Sequence, residues 1–288
     1  TENTNNVNSS KVYTLYYAFF LIPLMVTMLG VMFFFVFKVL TFETNSPQDY
    51  LTDVQIGSAT KRWQAAYELS KILSVPDRVP INEGFQKKMI SIYEHSIHDD
   101  SMVRTYMAMA MGRTGQIIYG PTLMVGLKDE DAVSRLAAIK ALGFLKYRPA
   151  IRHLEIFLDE NYSNEERLAA VISLGGMGDE SVIPKLKILL NDEEPNIRWD
   201  VAIALAKLGN SSGADVIVNL LDRSYFDKFS NVDSDEEVKA ILVAIQISSQ
   251  YPSDKFVTNL MKLATFDHNM DIRDKAIKAL DRTYNRKI

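Results

Sequence analysis

The stretch DEEPNIRWDVAIALAKLG, residues 192–209, decides the fold of this chain. Its apolar residues recur at the three- and four-residue spacing of a helix, and Gly209 follows as a helix stop. We expect Asp192 to cap the start of this helix and Pro195 to lie in its first turn. Alanines in its second half keep its sides thin, so neighbouring helices can approach closely, as they do in a stacked array.

Similar segments, in which an arginine precedes an alanine-rich helix and usually a glycine, recur along the chain. The arginines are Arg62, Arg104, Arg135, Arg167, Arg198 and Arg273. From Arg104 onward the steps are 31, 32, 31, 41 and 34 residues if Lys239 fills the one missing position. Shorter helical segments lie between the copies, at residues 121–127, 150–158, 182–190 and 214–221. The sequence therefore predicts an all-α solenoid of helix pairs.

The segments RLAAVISLG and IPKLKILLND, which lie within residues 167–192, resemble the HEAT repeat, in particular the short bacterial kind called phycobilisome-lyase-like. The resemblance covers about residues 50–285 and implies a right-handed superhelix of antiparallel helix pairs. It also implies a ladder of aspartate and arginine side chains between adjacent repeats. On this resemblance we expect structural roles for Arg104, Arg135, Arg167, Arg198, Arg273, Asp131, Asp192 and Asp271.

An uncharged apolar run extends from Val12 to Phe37, between Lys11 and Lys38. As a helix with a rise of ~1.5 Å per residue it would be ~39 Å long, which exceeds the ~30 Å hydrocarbon core of a bilayer. A cleaved signal peptide is the alternative, but the run is too long for one and no suitable cleavage site follows it. We therefore predict a single membrane span.

The predicted organisation has four parts: a polar tail over residues 1–11, a transmembrane helix over 12–38, a tether over 39–49 and the solenoid over 50–288. One lysine flanks each end of the span, so the distribution of basic residues does not define its orientation. We expect the solenoid on the cytoplasmic side.

Composition and motifs argue against a metal site and against enzymatic activity. The chain has no cysteine and a net charge of −4, so thiolate sites are absent and nothing favours nucleic acid overall. His95 and His98 stand three residues apart, but no third metal ligand is indicated. Asn231, Asp233 and Asp235 alternate as at the start of a calcium loop, but the glycine and the glutamate that such a loop needs are missing from this sequence. We predict no cofactor, no metal and no enzymatic activity.

Two longer connections interrupt the repeats, at residues 74–85 and 223–237. Insertions in solenoids often form binding loops, although a tolerated surface loop is the alternative. The second insertion contains Tyr225, Phe226 and Phe229, which lie outside the repeat pattern and are our candidate for a partner contact.

The predicted function is a non-catalytic, membrane-anchored scaffold that binds protein partners through its solenoid. A membrane complex such as an ATP-driven transporter is the expected client, with this chain as an accessory subunit. Two alternatives stay open: a bilin-lyase-like or other ligand-handling enzyme, because HEAT relatives include bilin lyases, and a nucleic-acid-binding solenoid. The acidic composition disfavours the second.

Overall fold

The computed structural model describes residues 16–40, 45–96, 100–229 and 232–287, without the side chains of residues 38–40. It divides into two compact units, Thr1–Ser46 and Pro47–Ile288. The first four residues of the predicted membrane span, together with His98 and Asn231, lie outside the described residues.

The first unit is an apolar helix. A π-helical turn, Tyr17–Leu21, leads into helix α1, Ile22–Leu40. Pro23 has no N–H to donate to the preceding turn, which accounts for the widened turn before it. Over Tyr17–Phe37 this helix has the length and the hydropathy of a membrane span, and none of it is buried against protein. A signal sequence near an N-terminus has the same properties.

The second unit consists of helix pairs, and no strand occurs among its described residues. In chain order the pairs are α2 (Pro47–Ile56) with α3 (Ala59–Ile72), α4 (Glu83–Ser96) with α5 (Ser101–Arg113), α6 (Gly120–Gly126) with α7 (Ala132–Phe144), α8 (Ile151–Leu154) with α9 (Asn164–Met177), α10 (Ile183–Ile188) with α11 (Pro195–Lys207), α12 (Ala214–Leu220) with α13 (Ser234–Gln250), and α14 (Val257–Phe266) with α15 (Met270–Tyr284). A 3-10 turn, Glu155–Leu158, extends α8.

These helices form two layers. The second helix of each pair contacts the second helix of the next pair, so α3, α5, α7, α9, α11, α13 and α15 make a continuous layer A. The first helix of each pair, in layer B, packs against its layer A partner. The predicted all-α solenoid of helix pairs is confirmed. Its first helix begins at Pro47, three residues before the predicted start of the solenoid.

Most layer A helices end at a residue with left-handed backbone conformation. The residues are Gly115, Lys146, Gly178, Gly209 and Asn285, with φ angles of 68°, 49°, 70°, 72° and 50°. Glycine adopts this conformation without the steric cost that other residues have, and it ends helices for that reason. The predicted stop at Gly209 is therefore confirmed.

The predicted cap at Asp192 is wrong: α11 begins at Pro195, and Glu194 occupies the cap position.

Small residues let the layer A helices touch along their backbones. A methyl group on Gly175 of α9 would lie only 2.5 Å from Cβ of Ala204 in α11. The equivalent contacts join Gly112 to Ala141 and Gly143 to Ser173. Such contacts need thin helix faces, as the alanine-rich sequence predicts.

Helix α11 borders both halves of the hydrophobic core. Val201 and Leu205 belong to a cluster of buried residues that extends from Leu51 to Leu208. Trp199 and Ala202 of the same helix belong to a second cluster that continues to Leu280. The stretch that defines the repeat is thus also the element on which the two clusters meet.

Two neighbouring glycines of α9 test the close packing. We expect Gly175→Ala to lower the thermal midpoint of unfolding, because overpacking a tight contact costs about 1–3 kcal/mol. Gly176 has no neighbouring atom within 4 Å of an added methyl group. Gly176→Ala should therefore raise the midpoint, since alanine is favoured over glycine in a helix by up to ~1 kcal/mol. Circular dichroism during heating measures both, and equal midpoints would contradict the packing argument.

Candidate functional site

Buried ion pairs join successive repeats at the start of the layer A helices. Arg104 donates from Nε to Oδ2 of Asp129 at 2.6 Å and from Nη2 to Oδ1 at 3.1 Å. Arg167 donates in the same way from both Nη atoms to the carboxylate of Asp192. All four side chains are at most 8% exposed. Such two-pronged pairs fix the distance and the angle between the groups that they join.

Each of these aspartates lies in the loop before a layer A helix, and a second arginine, from the helix that follows, binds the same loop. Arg135 Nη1 donates to the carbonyl oxygen of Asp129 at 2.8 Å, and Arg198 Nη1 donates to that of Asp192 at 2.5 Å. Arg273 donates to the carbonyl oxygen of Asp267 in the last pair. Each aspartate is therefore bound at its carboxylate by one arginine and at its carbonyl by another.

The predicted ladder residues occupy different places in this arrangement. All five predicted arginines participate, but Asp192 is the one predicted aspartate that receives a guanidinium group among the described contacts. Asp131 directly precedes α7, and its Oδ1 accepts the N–H of Ser134 at 2.8 Å as a helix cap. Asp271 lies within the first turn of α15. The arginine-binding aspartates are Asp129 and Asp267 instead.

Arg223, which the sequence analysis did not select, completes the ladder at the last repeat. Its Nε lies 2.6 Å from Oδ2 of Asp267, its Nη2 lies 2.9 Å from Oδ1, and its Nη1 lies 2.6 Å from Oε1 of Glu237. Burial alone would raise the pKa of Asp267, but hydrogen bonds from Arg223 and Asn269 hold it below its ordinary value. The insertion thus supplies the arginine that was expected at Lys239.

The three aromatic residues of the insertion pack against Trp199. The rings of Phe226 and Phe229 lie 5.6 and 5.7 Å from the Trp199 ring, and Trp199 Nε1 donates to the Tyr225 hydroxyl at 3.3 Å. Phe226 is buried, while Tyr225 and Phe229 are half-buried. The partner contact assigned to these residues stays a prediction, but their rings already have a packing role within the chain.

No metal site or catalytic group emerges in the part of the chain that the structure describes. It contains no cluster of three or more histidine, aspartate or glutamate residues that could hold a metal ion. The glycine-rich segments at residues 112–115 and 175–178 are helix ends. Burial raises the pKa of the Asp200 carboxyl group, on α11, to about 6.

A groove between α13 and α15 is the clearest open site on layer A. It has a volume of about 600 Å³. Leu242, Val243, Gln246 and Gln250 line it from α13, and Asp271, Lys275, Lys278 and Arg282 line it from α15. A second cavity of about 590 Å³ lies in layer B beside Glu155 and Lys185, which are joined by a hydrogen bond of 2.9 Å.

Residues 151–229 match the family model described as HEAT repeats. The helix pairs within this range are HEAT repeats. No curated protein matches the sequence. Among solved structures, the complex of CpcE and CpcF of phycocyanin lyase from Nostoc sp. PCC7120 has a similar fold, with a TM-score of 0.56 and 20% identity over 85% of this chain and 96% of that chain.

A computationally designed armadillo repeat protein for modular peptide recognition is also similar, with 16% identity over 82% of this chain and 99% of that one and a TM-score of 0.40. An engineered protein matches 84% of this chain and 98% of its own length at 15% identity, with a TM-score of 0.46. The similarity to the CpcE and CpcF complex, at 20% identity, shows a common helical-repeat fold and assigns no activity to this chain.

Breaking the buried Arg167–Asp192 pair should destabilise the protein far more than breaking an exposed pair. Arg167→Met leaves the Asp192 carboxylate buried without its partner, and breaking a buried pair in this way costs about 3–5 kcal/mol. Lys87→Met removes the exposed pair of Lys87 with Glu83 and should leave the urea midpoint almost unchanged. Similar midpoints for the two variants would contradict a structural role for the ladder.

Asp200 should make stability depend on pH in the opposite direction from Asp267, whose pKa is lowered. The pKa of Asp200 rises from 3.8 to about 6 on folding. Its contribution to the free energy of unfolding is therefore most favourable below pH 3.8, where the carboxyl group is neutral, and is lost as the pH rises to about 6 and the buried group becomes charged. We expect Asp200→Asn to stabilise the protein at pH 7.5, by at most ~3 kcal/mol, and to have little effect near pH 4. Asp281→Asn, at an exposed position of α15, is the control, and thermal unfolding at both pH values is the measurement.

Proposed function

We propose that this HEAT-repeat protein is a non-catalytic scaffold that binds other proteins and that its apolar N-terminal helix holds it at a membrane. The observation that carries the proposal is the combination of an open, repeated layer of helices with an apolar helix that has no protein cover among the described residues.

The apolar helix supports membrane attachment. Its side chains are widely exposed, with Val36 at 48% and Phe33 at 71%. Tyr17–Phe37 comprises 21 residues with a mean hydropathy of 2.5. A helix of this size is ~32 Å long, which matches the ~30 Å hydrocarbon core. Exposing so much apolar surface to water would be unfavourable, so lipid is the natural environment of this segment.

The exposed face of layer A supports protein binding. Met109, Lys140, Ile172 and Ile203 occupy equivalent positions on successive helices α5, α7, α9 and α11. Ile172 is 52% exposed, and Met109 and Ile203 are half-buried. Solenoids use extended rows of this kind for partner binding, because each repeat adds contacts to the same continuous surface.

Membrane attachment and protein binding would act together. Attachment confines the scaffold near membrane proteins and raises its effective concentration there. We also propose that the client is a membrane complex such as an ATP-driven transporter. The solenoid then lies on the cytoplasmic side of the membrane.

The proposal predicts an uncleaved, membrane-bound chain that co-purifies with partners. Intact-mass measurement of the protein from membranes should show that residues 17–37 are retained, which a cleaved signal sequence would contradict. Solubilisation in mild detergent and affinity capture should recover stoichiometric protein subunits, identified by mass spectrometry. A chain that emerges alone, or one with a bound chromophore in its absorbance spectrum, would contradict the scaffold function.

The absence of cysteine allows a direct test of orientation. Lys187 lies exposed on α10, so Lys187→Cys introduces a single reactive thiol. We expect a membrane-impermeant maleimide to label this thiol only after the cells are broken, so that the reagent reaches the cytoplasmic face of the membrane. Labelling in intact cells would place the solenoid on the other side and would exclude a cytoplasmic client.

A further inference from the structure

The groove between α13 and α15 differs from three of the earlier junctions in layer A. At those three junctions, glycines of α5, α7 and α9 bring the next helix into backbone contact. Helix α13, like α3 and α11, contains no glycine. The last two layer A helices therefore stack without such a contact, and the opening of about 600 Å³ lies between them.

One wall of the groove is a row of cations. Lys275, Lys278 and Arg282 are spaced three and four residues apart on α15 and share one face of the helix. The first and last are separated by ~10.5 Å along the helix axis. Lys278 bonds Asp274 at 2.6 Å in an exposed pair, and no ion pair is described for Lys275 or Arg282.

The carboxylates of α15 neutralise this wall only in part, because Asp274 pairs with Lys278 while no ion pair is described for Lys275 or Arg282. Asp271 is the one acidic residue in the lining, at the amino-terminal end of the helix. Asp274 and Asp281 lie outside the lining. The groove is thus locally basic in a chain whose net charge is −4. Charge complementarity favours an anionic occupant.

The other residues of the lining define what kind of anion fits. Gln246 and Gln250 are exposed on α13, and their carboxamides can both donate to and accept from a peptide backbone. The lining also contains the apolar residues Leu242, Val243 and Ala279, of which Val243 is 39% exposed. An aliphatic side chain would cover this apolar part of the groove.

We propose that the groove binds an acidic peptide segment of a partner protein, in which carboxylates flank an aliphatic residue. This inference rests on the proposed scaffold function and specifies the chemistry of one partner. The carboxylates pair with Lys275 and Arg282, and the aliphatic side chain lies against Val243. A single-stranded nucleic acid fits less well, because no aromatic side chain in the lining offers a surface for base stacking.

The test uses the full-length protein in detergent and two fluorescein-labelled peptides of roughly a dozen residues, enough in extended form to span the groove. One peptide carries glutamates at every third position with leucine between them, and the other carries glutamine in place of each glutamate. Fluorescence anisotropy should show binding of the glutamate peptide and at least about tenfold weaker binding of the glutamine peptide. Added salt should weaken the binding of the glutamate peptide.

Two charge-matched double variants locate the site. Lys275→Glu with Arg282→Glu should weaken binding of the glutamate peptide at least about tenfold. Lys128→Glu with Lys187→Glu makes the same change in net charge at exposed positions outside the groove and should change affinity less than about twofold. Circular dichroism verifies that both variants are folded.

Several results would overturn the inference. They are equal losses of affinity for the glutamate peptide in the two double variants, dissociation constants above about 1 mM for this peptide, and groove-dependent binding of a labelled oligothymidylate in its place.

Partner capture separates this inference from the scaffold function. If the groove variant still captures all subunits that the wild type captures, the groove inference fails and the scaffold stands. If the wild type captures none, the scaffold function itself fails.

Discussion

The array depends on buried aspartates that are held from two directions. Asp192 accepts the guanidinium group of Arg167 from the preceding repeat, and its carbonyl accepts Arg198 from its own helix. An ion pair of this kind contributes little net stability compared with apolar packing, but it penalises any arrangement that breaks it. We infer that the ladder mainly specifies how one helix pair is placed on the next, while apolar burial supplies most of the free energy of folding.

The ladder also explains why the insertion after α12 belongs to the fold. The insertion delivers Arg223 to Asp267, and its aromatic rings pack around Trp199. A longer connection here therefore replaces a repeat contact that the regular spacing no longer provides.

The proposed membrane attachment and the proposed partner binding would make different demands on the chain. Helix α1 needs only length and apolar side chains, because lipid makes few specific contacts. The solenoid must instead keep a defined surface over many repeats, which close backbone packing at residues such as Gly175 provides. Confining a rigid surface to a membrane would favour weak contacts with neighbouring proteins, because a high effective concentration compensates for low affinity.

The sequence by itself determined the periodic features of this protein. Helix pairs, the stop at Gly209, the ladder arginines and the apolar span follow from local spacing and composition, because each depends on residues a few positions apart. The sequence also predicted no metal site, because no third ligand accompanies His95 and His98 and the calcium-loop pattern is incomplete.

Only the tertiary structure decided which residues meet. The sequence suggested Asp131 and Asp271 for the ladder, whereas Asp129 and Asp267 receive the arginines, because the geometry of each loop selects one carboxylate among several. Arg223 lies 44 residues from its partner Asp267, a distance that no repeat spacing predicts. The burial of Asp200 and the cationic groove on α15 likewise arise from how helices distant in sequence pack together, which local pattern does not encode.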